Sequence, residues 1–321
     1  MKISSRRSPR ARVLRERSAS LFLQAGALPA RRSDTDRGLI LFYNSMFGEP
    51  IELPAGGMPE GFEASTDLRR FEEAEAVVFH IPSLGGIGRL HKRRGQIWVA
   101  WWMESDAHVP RLRDPGFMER FDLTMSYHRD ADVFVSYLSW FGEAALRSRP
   151  GPKTETAALF MSGAAETSGR EAYAAALMGD LEVHSFGRRL RNRRLAEDRG
   201  VVTKLETISR YRFTLAFENS IEPDYVTEKL YEPLVSGSVP VYLGAPNVAG
   251  FAPAPDCFIN VRDFAGPAEL ADHLRELERD PAAYESLLAW KEEPFDPGFR
   301  QLLEQQGTHG LTKLCELISG P

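Results

Sequence analysis

Residues 211–244 (YRFTLAFENSIEPDYVTEKLYEPLVSGSVPVYLG) hold the densest set of groups able to do chemistry in this chain. An apolar alternation at Phe213, Leu215 and Phe217 ends in the polar run Glu218, Asn219, Ser220. A turn with Pro223 and Asp224 follows. Thr227 then stands where a helix N-cap would, with Glu228 and Lys229 in the first turn. Gly237 ends that helix before a second apolar run, 239–243. A strand, a polar turn and a helix start together make the layout of an anion site. Ligands of open α/β sheets lie beyond the carboxyl ends of strands. A helix N-terminus adds free N–H groups and partial positive charge, and Lys229 could add a full charge for a diphosphate. On spacing alone, an equal reading is that Glu228 and Lys229 merely begin a solvated helix.

The elements that would position these groups alternate along the chain. Apolar runs at 39–43, 76–80, 96–101, 157–161, 181–186, 213–217, 239–243 and 258–261 read as strands. Several are apolar at nearly every residue, as parallel strands covered on both faces must be. Helical spacing appears at 171–178, 228–235, 269–277 and 282–290. The alternation argues for an α/β architecture with parallel sheets. The segment RSRPGPK (147–153) is a poor core and a good linker. It predicts four parts: a basic, poorly ordered extension (1–37), one α/β domain (38–150), a second (151–295), and a C-terminal helical tail (296–321).

Composition sets further bounds. The chain has 321 residues, 43% hydrophobic and 26% charged, with net charge −5, which does not suggest a nucleic-acid partner. Through Arg37 there are 10 basic residues against 3 acidic ones. That head reads as a solvated tail, with weak peripheral membrane contact as the alternative. Its apolar run, 21–28, is too short to span a bilayer. Two cysteines, Cys257 and Cys315, cannot form a disulfide framework, and none of the five asparagines lies in an Asn-x-Ser/Thr sequon. Both facts suit a reducing cytoplasm.

Taken together, the residues of the 211–244 window resemble the signature of the α-1,3/1,4-fucosyltransferases, glycosyltransferase family 10. That signature runs Y-x-F-x-L-x-F-E-N-S, then D-Y-V/I-T-E-K-L, then G-x-x-P-V-x-L-G. The chain matches it at Tyr211, Phe213, Leu215, Phe217, Glu218, Asn219, Ser220, Asp224, Tyr225, Val226, Thr227, Glu228, Lys229, Leu230, Gly237, Pro240, Val241, Leu243 and Gly244. Upstream, Arg170 stands where the family carries an arginine, although Met161-Ser162-Gly163 departs from the usual Ser-Asn. In the N-terminal half, IWVAWWMESDAH and TMSYHRDADVFVSY resemble W-x-x-x-x-x-E-S-P-x-H and L-S-Y-R-R-D-S-D-I-F-x-P-Y. Here Asp106 replaces the family's proline and His128 its arginine. The likeness covers about residues 38–292.

The resemblance implies a GT-B-like fold, two Rossmann-like domains facing across a cleft, and an inverting transfer of L-fucose. The donor would be GDP-β-L-fucose and the acceptor a glycan hydroxyl, O3 of GlcNAc or Glc. It implies Glu104 as general base and Arg170 and Lys229 as pyrophosphate ligands. Glu228, Asn219 and Tyr225 would contact the donor's sugar or backbone, with Glu218, Thr227 and Ser162 as additional candidates. No metal or other cofactor is expected, although two Asp-x-Asp triplets occur, 34–36 and 130–132. Against this stand a GT-B enzyme using another nucleotide sugar, and an inactive nucleotide- or glycan-binding scaffold. Trp98, Trp101 and Trp102 read as core, and His80 and His128 as packing or hydrogen-bonding histidines.

Overall fold

The computed structural model describes residues 37–53, 57–149, 151–307 and 310–319. The basic head, its apolar run and the first Asp-x-Asp triplet lie outside the described residues. The chain divides into two compact units: one runs to Trp140 and takes back Gln306 onward, the other is Phe141–Gln305.

The first unit contains strands β1 (Gly38–Phe42), β2 (Phe62–Ser65), β3 (Ala76–His80) and β4 (Ile97–Trp102), a short helix α1 (Pro115–Met118), then β5 (Leu123–Ser126) and β6 (Val133–Phe134). Every pairing is parallel, in the order β2-β1-β3-β4-β5-β6. β1 and β3 are buried along their whole length, as strands covered on both faces are. Trp98 and Trp101 are core residues as expected, Trp101 meeting Phe42 edge-on at 6.3 Å. The strand order reverses between β1 and β3, the topological switch point of this sheet.

The second unit begins with α2 (Glu143–Leu146) and β7 (Glu155–Leu159), followed by α3 (Arg170–Asp180), β8 (Val183–Ser185) and α4 (Val201–Ile208). Next come β9 (Tyr211–Phe217), α5 (Glu228–Ser236), β10 (Val239–Leu243) and β11 (Ile259–Asn260). Helices α6 (Pro267–Arg279), α7 (Pro281–Ser286) and α8 (Pro297–Gly307) complete the run, and α9 (Gly310–Ser319) returns to the first unit. The sheet is again all parallel, in the order β11-β10-β9-β7-β8. Its core joins Leu159, Phe213, Leu215 and Val241 to Leu177 of α3 and Leu274 of α6. The switch point lies between β7 and β9.

Two of the expected boundaries differ from these units. The break falls at Trp140, before the turn-rich 147–153 segment, because that segment is tied to the second unit. Arg147 donates to the Trp290 and Lys291 carbonyls at 2.9 and 3.1 Å, and buried Lys291 donates to Leu146 O at 2.7 Å. The tail 296–321 is split. Phe299 and Leu302 are buried in the second unit, whereas α9 lies on β6 of the first, where a Cβ on Gly310 would come 2.9 Å from Val135. Sequence reading also passes over β2, β5, β6 and α4, and the 282–290 helix stops at Ser286, a 3-10 turn following at Ala289–Lys291. Among the described residues no helix is long and apolar enough to cross a membrane.

Candidate active site

The second unit concentrates its polar groups at the switch point. Arg170 opens α3 and is buried, and its guanidinium spans the carboxyl ends of the two diverging strands. Nη1 donates to Phe217 O at the end of β9 (3.1 Å), and Nη2 donates to Gly163 O beyond β7 (3.3 Å). Its Nε is buried without a hydrogen-bond partner. Burial lowers the guanidinium's pKa, while Glu218 and Glu166 act the other way; an arginine stays charged regardless. The loop before α3 is fixed by Glu166 and Ser168. Glu166 accepts from Arg170 N at 3.2 Å, and Ser168 Oγ donates to Glu218 O at 2.7 Å.

Glu218, the first residue past β9, is fully buried. Its carboxylate accepts from Thr227 N (2.8 Å) and Thr227 Oγ1 (2.9 and 2.8 Å) and pairs with Lys229 Nζ at 3.2 Å. Thr227 is the N-cap of α5, as its position suggests, accepting from Lys229 N at 3.4 Å. Lys229 Nζ also donates to Thr227 Oγ1 at 2.9 Å and pairs with Glu228 Oε1 at 3.1 Å. The β9 end and the α5 start are therefore locked by one buried ion cluster. Its pKa values reflect a contest between burial and neighbours. Burial pushes the Glu218 carboxyl up, against the pull of Lys229. Burial would lower Lys229, but Glu218 and Glu228 prevail and raise it. Burial would raise Glu228, but the charges of Lys229 and Lys204 hold it down to about 2. The solvated-helix-start reading fails here: Glu228 and Lys229 are each only 21% exposed in their side chains.

The loop after β10 closes on the same cluster. A Cβ on Gly244 would sit 2.4 Å from Tyr242 Oη and 2.6 Å from Glu218 Cγ, so only glycine fits there. Asp224, at φ 65°, exchanges hydrogen bonds with Asn247: its N–H donates to Oδ1 at 2.9 Å, and Asn247 Nδ2 donates to its Oδ1 at 2.7 Å. Tyr225 is buried behind this turn.

In the first unit, Glu104 follows β4 and is half-buried, its Oε1 accepting from Ser105 N at 3.2 Å. Ser105 caps the 3-10 turn Asp106–His108. Asp106 Oδ1 accepts from Trp102 Nε1 (3.0 Å) and Tyr127 Oη (3.0 Å), and meets His128 Nε2 at 3.1 Å. Burial acts to raise the Asp106 carboxyl, but His128 and the other donors prevail and lower it. At the switch point of this sheet, Asn44 bridges to β3, donating to His80 O and accepting from His80 N, both at 2.9 Å. Burial holds the His80 imidazole down to about 3, which makes it a neutral packing group.

The structure thus brings Arg170, Glu218, Thr227, Glu228 and Lys229 into one cluster, with Asn219 and Tyr225 on the segments that join it. Ser162 is exposed, its Oγ accepting from Arg188 N at 3.2 Å. Glu104 belongs to the other unit. Sequence reading overlooked Glu166, Ser168, Tyr242, Lys204 and Glu232, whose roles depend on contacts between distant segments. Glycine at 244 after an apolar strand was the one local signal. The second Asp-x-Asp triplet is a structural turn: Asp132 Oδ2 accepts from Thr124 N and Oγ1, both at 2.8 Å. Among the described residues no three His, Cys, Asp or Glu gather as metal ligands.

Known proteins agree with this architecture. Residues 150–320 match the family model described as glycosyltransferase family 10 (fucosyltransferase) C-term, and residues 35–138 match fucosyltransferase, N-terminal. The human 4-galactosyl-N-acetylglucosaminide 3-alpha-L-fucosyltransferase FUT6 is 37% identical over 271 residues, covering 79% of this chain and 73% of the human protein. The gorilla FUT6 is 36% identical over 292 residues, covering 86% and 77%. A crystal structure of an alpha1,3-fucosyltransferase with GDP-fucose superposes with a TM-score of 0.57 at 17% identity, over 92% of this chain and 97% of that one. That likeness bears out the GT-B-like α/β fold class, and the family models place an enzyme rather than a binding scaffold on it. The chain belongs to glycosyltransferase family 10, the fucosyltransferases.

Proposed function

We propose that this enzyme transfers L-fucose from GDP-β-L-fucose to a glycan hydroxyl, O3 of GlcNAc or Glc, with inversion at the anomeric carbon. The observation that carries the reading is Arg170 spanning the β7–β9 switch point beside the Glu218–Lys229 cluster at the start of α5. A diphosphate there meets a buried guanidinium, an ammonium group and a helix N-terminus. The acceptor class is supported by relatives named for 3-α-fucosylation of 4-galactosyl-N-acetylglucosaminides.

Glu104 takes the proton from the acceptor hydroxyl as its oxygen bonds to the fucose anomeric carbon. The bond from that carbon to the β-phosphate oxygen breaks on the opposite face, and GDP leaves with the electron pair. One displacement converts the β-linked donor to an α-fucoside. Arg170 and Lys229 stabilise the charge that grows on the departing diphosphate, a preorganised arrangement that needs no reorganisation during reaction. No metal or further cofactor enters this scheme. A content of only two cysteines, both buried, supports a cytoplasmic setting.

The test is an acceptor-array assay with labelled GDP-fucose, run beside thermal shift with GDP-fucose, GDP-mannose and UDP-sugars. Fucose transfer to GlcNAc- or Glc-containing glycans is expected. Stabilisation by a UDP-sugar and not by GDP-fucose would replace the donor assignment.

A further inference from the structure

Beside the donor cluster lies a second buried ion pair that no part of the scheme above uses. Lys204 of α4 pairs with Glu232 of α5, whose side chain is 3% exposed. The Lys204 ammonium is also 5.8 Å from the Phe160 ring centroid, which limits where it can move. Glu232 lies one helical turn after Glu228, so two carboxylates share a face of α5 at the i,i+4 spacing, where like charges repel. The pairs therefore run as one alternating series: Glu218 with Lys229, Lys229 with Glu228, then Lys204 with Glu232. The charges of Lys229 and Lys204 are thus set against the carboxylates of Glu218, Glu228 and Glu232, with Arg170 and Glu166 as a further opposed pair beside them.

We propose that Lys204 is a positioning residue of the donor site: paired with Glu232, it offsets the carboxylate face of α5 and leaves Lys229 able to share its charge with a bound diphosphate. The proposal rests on the reading that Arg170 and Lys229 receive the diphosphate of GDP. Without Lys204 the series would lose one positive charge, and Lys229 would be left as its one cation among three carboxylates. Without the Glu232 charge the series would lose one negative charge. Burial makes these differences matter, because a buried site screens charge far less than water does.

The experiment measures the GDP dissociation constant of the full chain by calorimetry for four variants. Lys204→Met should weaken GDP at least about fivefold, while Lys204→Arg, which keeps the charge, should stay near wild type. Glu232→Gln should tighten GDP binding, and the double variant Lys204→Met/Glu232→Gln should return to the wild-type value. A double variant as weak as Lys204→Met would mean that Lys204 touches the nucleotide directly, and the positioning role would fall. Unchanged affinity in Lys204→Met, with only a lowered melting temperature, would make the pair purely structural and also overturn it. If Lys204→Met does not fold, the tightening in Glu232→Gln decides, and its absence overturns the proposal. Lys229→Ala, run alongside, separates the two levels. No effect there removes the diphosphate reading itself, whereas a weakened Lys229→Ala beside an unaltered Lys204→Met removes only this inference.

Discussion

Asp106, two residues beyond Glu104, meets His128 at 3.1 Å, Oδ1 to Nε2. Two positions at which the sequence departs from the motifs it resembles are therefore partners. Asp106 Oδ1 also receives Trp102 Nε1 and Tyr127 Oη, so one carboxylate ties the end of β4 and the residues following β5 to the turn that directly follows Glu104 and Ser105. Asp106→Asn should lower the turnover number about tenfold, since a hydrogen bond to a charged group contributes on the order of 1.5–3 kcal/mol and Asp106 is half-buried. GDP affinity should not change, because the cluster proposed to hold the nucleotide belongs to the other unit. Full kinetics with a GDP titration tests this; a loss confined to GDP binding would show that Asp106 does not act through Glu104.

Glu104→Gln should reduce transfer by roughly 10²–10⁴-fold, the range for removing a general base. GDP-fucose binding should persist, because the amide keeps the volume and the Glu104 segment. Steady-state rates and calorimetry on the same preparation read both quantities. Transfer at near wild-type rate would remove Glu104 from the role of base.

Glu228 ties stability to acid pH. Burial would raise its carboxyl, yet Lys229 and Lys204 hold it down to about 2, below the ordinary glutamate value of 4.5. A depressed folded pKa gives stability that is complete above the unfolded pKa and lost as pH falls through the folded one. The stability gap between wild type and Glu228→Gln should therefore be full at pH 6 and shrink between 4.5 and about 2. Burial raises Glu218 and Glu232, and they pull the opposite way, so the difference between the two proteins is the quantity to follow. Urea unfolding at stepped pH measures it, and a gap that stays constant to pH 2.5 would mean that the ion pairs leave Glu228 unshifted.

Transfer should continue in excess EDTA. Arg170, Lys229 and the α5 N-terminus offer the positive charge that a metal held by an Asp-x-Asp motif would otherwise supply. The described triplet has Asp132 engaged by Thr124. The assay compares wild type with Asp130→Asn/Asp132→Asn, with and without Mn²⁺. Activity abolished by EDTA, restored by Mn²⁺ and missing from the double variant would reassign the diphosphate site.

The sequence by itself determined the fold class and pointed to the 211–244 segment that carries most of the buried ion cluster. Runs such as LILF, AVVFH and VPVYL are apolar at almost every position and short, as strands covered on both faces are. Thr227 and Gly237 marked the ends of α5 through local rules of capping, which need no distant partner. Short strands such as FEAS and LTMS carry no such signal, and they become strands only because β1 and β4 lie beside them. The same holds for the unit boundary, which Arg147 and Lys291 move by bonding carbonyls more than a hundred residues away in sequence. What tertiary structure alone decided is the electrostatics. Glu218, Lys229, Glu228, Lys204 and Glu232 come from three separate segments, and their charges couple strongly only because folding removes the water between them.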